Sequence, residues 1–184
     1  MRLLLSALFM LFSLVLVTPA FASDETANQK IEELSQTGEI IYEDDEIKVV
    51  DFGNDPEISE AIFDHPDSEV NGAKIDIVPF SSVNGPGGRS SIVASNTGRS
   101  VYWSVKPATL WPFHFSGVVK LRYHSGFKRD APVGSMGALG QTVSGGVTMK
   151  KNNGGVAYLS GTAYALSRDK YRVLPGVNTS FRPN

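Results

Sequence analysis

The sequence predicts a mainly β protein: an antiparallel β-sandwich or partly open barrel of about seven short strands, preceded by a mixed α/β acidic N-terminal segment. Three observations lead there. From Phe80 onward, short runs with alternating apolar residues recur between turns rich in glycine, asparagine and proline, the pattern of strands buried on one face. Between residues 23 and 79 the chain shows helix-cap signals, few core-forming residues and many carboxylates. Once a leader is removed, about 160 residues remain, enough for one sizeable core and too few for two.

Residues 1–22 read as that leader. Arg2 and the amino terminus start it with positive charge, Leu3 to Val17 are a run of apolar and small residues, and Pro19 breaks the run. Ala20-Phe21-Ala22 then offers small residues at the two positions a signal peptidase reads. The run is shorter than the ~20 residues of a spanning helix, and no later stretch is apolar enough to span, so a mature protein without a transmembrane helix and outside the cell is expected. The chain contains no cysteine, which removes disulfides, thiolate metal sites and cysteine lipidation from consideration.

The elements follow in order. "SDETANQKIEELSQTG" (23–38) reads as a short helix with Ala27, Ile31 and Leu34 on one side and Gly38 as its stop. "EIIYE" and "EIKVVDF" are β-prone runs around "EDDE". "NDPEISEAIFD" is a helix with Asp55 as cap and Pro56 in the first helical position. "HPDSEVNG" reads as a connector and "AKIDIVPF" (73–80) as a strand. In the region 80–184, "SSVNGPGGRS" reads as a loop, and "SIVAS" and "RSVYWSV" as strands around the hairpin turn "NTG". "FHFSGVVKLRYH" is a long strand with Val119, Leu121 and Tyr123 on one side and Lys120, Arg122 and His124 on the other. "GFKRDAPVGSMGALG" reads as a long loop. "QTVSGGVTMKK" and "VAYLSGTAYALS" read as the clearest hairpin in the chain, and "KYRVLPG" and "VNTSFRP" close the domain.

Charge divides the chain at the same boundary. Residues 23–79 hold seventeen acids and three bases, a net of −14, whereas residues 80–184 hold thirteen bases and two acids, a net of +11. A whole-chain charge of −2 conceals these opposed parts. Such asymmetry points to a charged partner or an internal mask.

Motifs for catalysis and metal binding are weak. His114 and His124 share one strand face, and ten residues at ~3.3 Å each hold them some 30 Å apart, too far to chelate one ion. "GSMG" around Ser135 lacks the glycine two residues before the serine that a nucleophile elbow requires. Gly134, Gly137 and Gly140 have no following helix or lysine to make a phosphate loop. "YEDDE" and "DHPDSE" lack the regular spacing of a calcium loop. The sequence therefore predicts no catalytic residue, no metal site and no cofactor.

The expectation is a secreted, non-enzymatic bacterial protein whose cationic domain at 80–184 binds an anionic envelope surface, either anionic lipid or wall polymer. An antibacterial effector is one form of such a protein. The acidic segment 23–79 serves on this reading as an intramolecular pro-region or clamp, with cleavage in "SSVNGPGGRS". The envelope-binding residues are Trp111, in a bend between Pro107 and Pro112, and the cationic set Lys120, Arg122, His124, Lys128, Arg129, Lys150 and Lys151. Two other readings stand beside it. One is a single-domain structural or matrix protein whose opposed charges pair internally. The other is a small hydrolase using Ser135 or a histidine.

Overall fold

The computed structural model describes residues 29, 31–33, 35–64, 81–151, 153–173 and 175–182. The leader at 1–22, the connector with His65 and the strand expected over 73–80 lie outside them. The described residues form a two-sheet antiparallel β-sandwich with helical segments on its outside. The strands are β1 (Glu39–Glu43), β2 (Ile47–Gly53), β3 (Ser82–Gly85), β4 (Gly88–Ala94), β5 (Ser100–Pro107) and β6 (Phe113–Tyr123). Then come β7 (Lys128–Gly137), β8 (Val143–Met149), β9 (Gly155–Ala165), β10 (Lys170–Arg172) and β11 (Asn178–Phe181). The first sheet has the order β1-β2-β8-β5-β4-β3; in the second, of order β10-β9-β6-β7, β11 pairs with the other half of β9.

The core lies between the sheets. Strand β2 contributes Ile47 and Val49, β5 contributes Val101, Trp103 and Val105, and β6 contributes Phe113, Phe115, Val119 and Leu121, all buried. Trp103 and Phe115 pack with ring centroids 5.3 Å apart. Glycines make room for this pair. A Cβ on Gly145 would come within 2.7 Å of the Trp103 ring, and a Cβ on Gly161 within 2.6 Å of the Phe115 ring.

Helix α1 (Pro56–Phe63) covers the outer face of the first sheet. Asp55 caps it, its side chain accepting the backbone N–H groups of Glu57 and Ile58 at 2.8 and 3.2 Å. Ile58 and Ile62 pack with Val93, Tyr102 and Ile31 in a second apolar cluster outside that sheet. The helix expected over 23–38 is represented by helical residues 29 and 31–33 and a 3-10 turn, Ser35–Thr37. Among the described residues no element covers the outer face of the second sheet.

Three local expectations are corrected. "GFKRDAPVGSMGALG" contains the ten-residue strand β7, not a long loop. Its inward residues Ala131, Val133 and Ser135 are small, so its alternation is quiet, and the outward Pro132 and Gly134 resemble loop residues. "SSVNGPGGRS" is the β3–β4 hairpin, with Pro86 and Gly87 at the turn. Strands β3 and β7 raise the number in the 80–184 region from about seven to nine. Finally, β8 and β9 are not a hairpin pair: β8 lies between β2 and β5, while β9 pairs with β6 in the opposite sheet. A turn signal marks a chain reversal, and the same residues serve whether the next strand stays in its sheet or crosses to the other.

Gly161 is the position where this packing is tested most simply. Besides the Phe115 ring, its added Cβ would lie 2.8 Å from the Gly117 Cα, a backbone atom that cannot swing aside. Gly161→Ala is expected to lower the unfolding free energy by about 1–3 kcal/mol, the usual cost of overpacking, read from the urea midpoint at unchanged slope.

Candidate functional site

The strands run between two unlike ends. At one end the β1–β2 turn projects Glu43, Asp44, Asp45 and Glu46 towards the β6–β7 and β8–β9 connections. Asp44 organises the turn: its Oδ1 accepts the backbone N–H groups of Glu46 and Ile47, both at 2.8 Å, and its backbone N–H donates to the Ile47 carbonyl at 2.9 Å. Its other carboxylate oxygen accepts the Tyr42 hydroxyl at 2.7 Å and forms an ion pair with Arg129. The Lys150 Nζ lies 2.9 Å from Glu43 Oε1 and also donates to the Asp44 carbonyl at 2.6 Å. The Lys151 Nζ lies 2.6 Å from Glu46 Oε1 and 3.6 Å from the centroid of the Phe127 ring.

This clamp reaches across the sandwich because of strand parity. Arg129 has the inward parity of Ala131 and Val133 and lies at the margin of the core, where it meets the turn from the opposite sheet. The Tyr42 hydroxyl, the backbone N–H groups of Ile47 and Glu46, and the Arg129 guanidinium together lower the Asp44 carboxyl from its ordinary 3.8 to about 2. The hydrogen bond and positive charge of Lys150 likewise hold the Glu43 carboxyl below its usual range.

The outer face of the second sheet carries the opposite sign. Lys120 stands beside Asp130 on β7 and Tyr158 on β9; at the far end of the strand His114 stands beside Met136 and Tyr164. Lys128 and Arg122 form the row before, and Lys170 and Arg172 extend the face from β10. The strands thus place five Lys and Arg residues on this face against one acid, Asp130, whose carboxylate is 2.7 Å from Arg122. Tyr158 and Tyr164 are about half exposed, and Lys170 Nζ lies 5.7 Å from the centroid of the Tyr164 ring. Six residues of strand separate the two rings by about 20 Å.

The end opposite the clamp is apolar. Leu110 and Trp111 from the β5–β6 connection, Met136 and Leu139 around the β7–β8 connection, and Leu166 from the β9–β10 turn are all exposed.

The structure therefore separates the residues that the sequence groups as envelope-binding. Lys120, Arg122 and Lys128 lie on the open face. Arg129, Lys150 and Lys151 are engaged by the acidic turn. His124 is exposed just after β6 at the clamp end, its backbone N–H bonded to the Gly154 carbonyl at 2.9 Å. Trp111 is exposed at the other end. Tyr158, Tyr164, Lys170 and Arg172 are not among the envelope-binding residues expected from the sequence, although the alternation in "VAYLSGTAYALS" places both tyrosines with Ser160 and Thr162 on the outward side. Ser135 is buried on β7, with its Oγ facing inward among the core strands and without a hydrogen-bond partner among the described residues. Among the described residues no group of three or more His, Asp or Glu side chains is arranged to hold a metal ion, and no helix is long and apolar enough to cross a membrane.

Compared with known proteins, the chain matches no protein-family model, and a search of curated proteins finds no match.

The lowered Asp44 carboxyl fixes the sign of a pH effect. A group whose value falls on folding adds stability above its unfolded value, and that stability is lost as pH drops through the folded one. Asp44→Asn is therefore expected to be less stable than the parent chain at neutral pH. The gap should narrow as pH falls from 3.8 towards about 2, measured by urea unfolding across that range.

Proposed function

We propose that this is an exported, non-enzymatic binding protein that holds an anionic polymer of the cell envelope on the open face of its second sheet. The ligand chemistry is a chain of repeated phosphate or carboxylate groups. The observation that carries the reading is the composition of that face: five cations, one acid already paired, and two tyrosines with exposed rings, on the one sheet surface that no described element covers. Lysine and arginine supply attraction that scales with ligand charge, and the tyrosine rings supply flat surfaces for stacking on sugar or on polymer backbone. Export rests on the leader pattern of residues 1–22.

The acidic segment takes a definite part in this proposal. Its β1–β2 turn pairs with Arg129, Lys150 and Lys151 at one end and leaves Lys120, Lys128, Lys170 and Arg172 of the open face outside that clamp. Because β2 supplies Ile47 and Val49 to the core, the acidic segment is retained in the working protein and is not shed as a mask. The internal ion pairs also favour a second reading, a matrix or structural component with a neutral partner, and salt separates the two: polymer binding through the open face weakens as salt rises, and binding to a neutral partner does not.

Reversing Lys120 and Arg172 to glutamate is expected to weaken binding to a phosphate polymer by about tenfold or more at low salt, on a scale of ~1 kcal/mol per cation at an anionic surface. Lys150→Gln, which alters only the clamp end, should bind as the parent chain does. Sedimentation with the insoluble polymer measures both. Equal binding by the double reversal and the parent chain would remove the open face from consideration.

A further inference from the structure

The apolar end is a second surface, and it follows a different logic from the open face. Of the ten large apolar or aromatic side chains exposed among the described residues, five lie here: Leu110, Trp111, Met136, Leu139 and Leu166. Four come from three separate connections that the sheets bring together, and Met136 from the end of β7. Phe113, which begins β6, pairs in register with Gly137 and Ala165, so the ends of β7 and β9 lie on either side of it. The backbone N–H of Leu166 donates to the Pro112 carbonyl at 2.8 Å, and the Leu110 Cδ2 would lie 3.2 Å from a Cβ placed on Gly140.

These side chains stand out. Leu110 is 77% exposed, Leu139 78%, Leu166 72% and Trp111 58%. Leu139 also holds a backbone φ of 53°, in the left-handed region that glycine or asparagine adopts more readily. A large apolar residue therefore occupies a turn position where it is neither buried nor conformationally favoured. An exposed apolar cluster of this kind marks a contact surface.

Its shape and surroundings select the occupant. The cluster is a set of separate projecting tips, which a fluid bilayer accepts without a complementary pocket. The last row of the open face, His114, Tyr164 and Lys170, adjoins it, and Arg168 lies in the β9–β10 turn beside Leu166. Among the described residues, the acids near this end include Asp169 in that turn and, on the opposite side of the sandwich, Asp55, which follows the Asn54 that donates to Gln141 at 2.6 Å, with Glu60 and Asp64, which line a cleft of about 410 Å³ with Lys106 and Gln141. The side carrying the second sheet is thus the cationic one, and aromatic rings at the boundary between apolar tips and charge suit a headgroup interface.

We propose that this end docks on an anionic lipid bilayer, with Leu110, Trp111, Leu139 and Leu166 entering the interface and the second sheet inclined towards the headgroups. This goes beyond the polymer-holding reading and does not require it.

The tryptophans provide the probe. Trp103 is 0% exposed in the core, so any change in emission on adding lipid reports Trp111. The chain from Ser23 onward, which carries every element described above, is mixed with vesicles of phosphatidylcholine and phosphatidylglycerol. The proposal expects a blue shift of emission, quenching by brominated acyl chains, and weaker binding to phosphatidylcholine alone. Leu110→Ser with Leu166→Ser should bind about tenfold weaker for each leucine removed, with an unchanged unfolding midpoint and unchanged binding to the phosphate polymer. Emission that stays constant at saturating lipid, or a double-serine variant that binds vesicles like the parent chain, overturns it. A blue shift that grows with protein concentration in the absence of lipid, together with a dimer in sedimentation, also overturns it and assigns the end to a second copy of the chain. Loss of polymer binding in the Lys120→Glu, Arg172→Glu chain bears only on the open face, so the two readings stand or fall separately.

Discussion

The molecule depends on the position of β2. This strand comes from the most acidic part of the sequence, yet it sits inside the first sheet between β1 and β8 and places Ile47 and Val49 in the core. Burying two β-branched side chains stabilises the fold by about 1.5–3 kcal/mol each, so the acidic stretch cannot leave without opening the sandwich. The register of β2 on β8, with Ile47 opposite Met149, then fixes where the β1–β2 turn emerges. It emerges beside Lys150 and Lys151 and across from Arg129, and ion pairing follows from that placement. The paired side chains remain partly exposed, so they contribute modestly to stability. Their larger effect is to determine where positive charge is left over.

Sheet geometry sets the remaining surfaces. The first sheet has its outer face occupied by α1, and among the described residues nothing covers that of the second, so alternation along β6, β7 and β9 leaves their outward side chains partly or fully exposed. Because β6 and β9 are long, this face extends from the clamp end to the apolar end, with a tyrosine near each limit. Connections that cross between sheets gather at the ends of the sandwich. One end is filled with paired charge, and the other carries leucine, methionine and tryptophan. A charge imbalance that looks like two halves of a chain is, in three dimensions, a gradient along and around one sandwich.

Much of this could be read from the sequence, and the limits are physical. The helix at 56–63 was legible because Asp55 and Pro56 are specific local signals, and β6 because Phe113, Phe115, Val119, Leu121 and Tyr123 keep one parity along eleven residues, with only Gly117 and Val118 departing from it. Strand β7 was not, because proline and glycine fill its outward positions and its inward ones are small. The crossing of β8 to the opposite sheet depends on glycines at 145 and 146 that admit Trp103, Tyr102 and Phe52, a long-range fit with no local signature. For the candidate sites, Lys120 and Arg122 could be assigned to an outer face from parity alone. That Arg129, Lys150 and Lys151 meet carboxylates more than eighty residues away requires the fold. The exposed leucines were hidden for the opposite reason: an apolar residue in sequence reads as core until a structure places it at a loop tip.

The central claim is that the acidic segment belongs to the cooperative core of the sandwich. Native-state hydrogen exchange tests it most directly. The amides of Val49 and Val50 on β2 should exchange through the same global opening as those of Val101 on β5 and Val119 on β6, with equal opening free energies and equal dependence on denaturant. Faster exchange of the β2 amides through a smaller, separate opening, with β5 and β6 still protected, would contradict it.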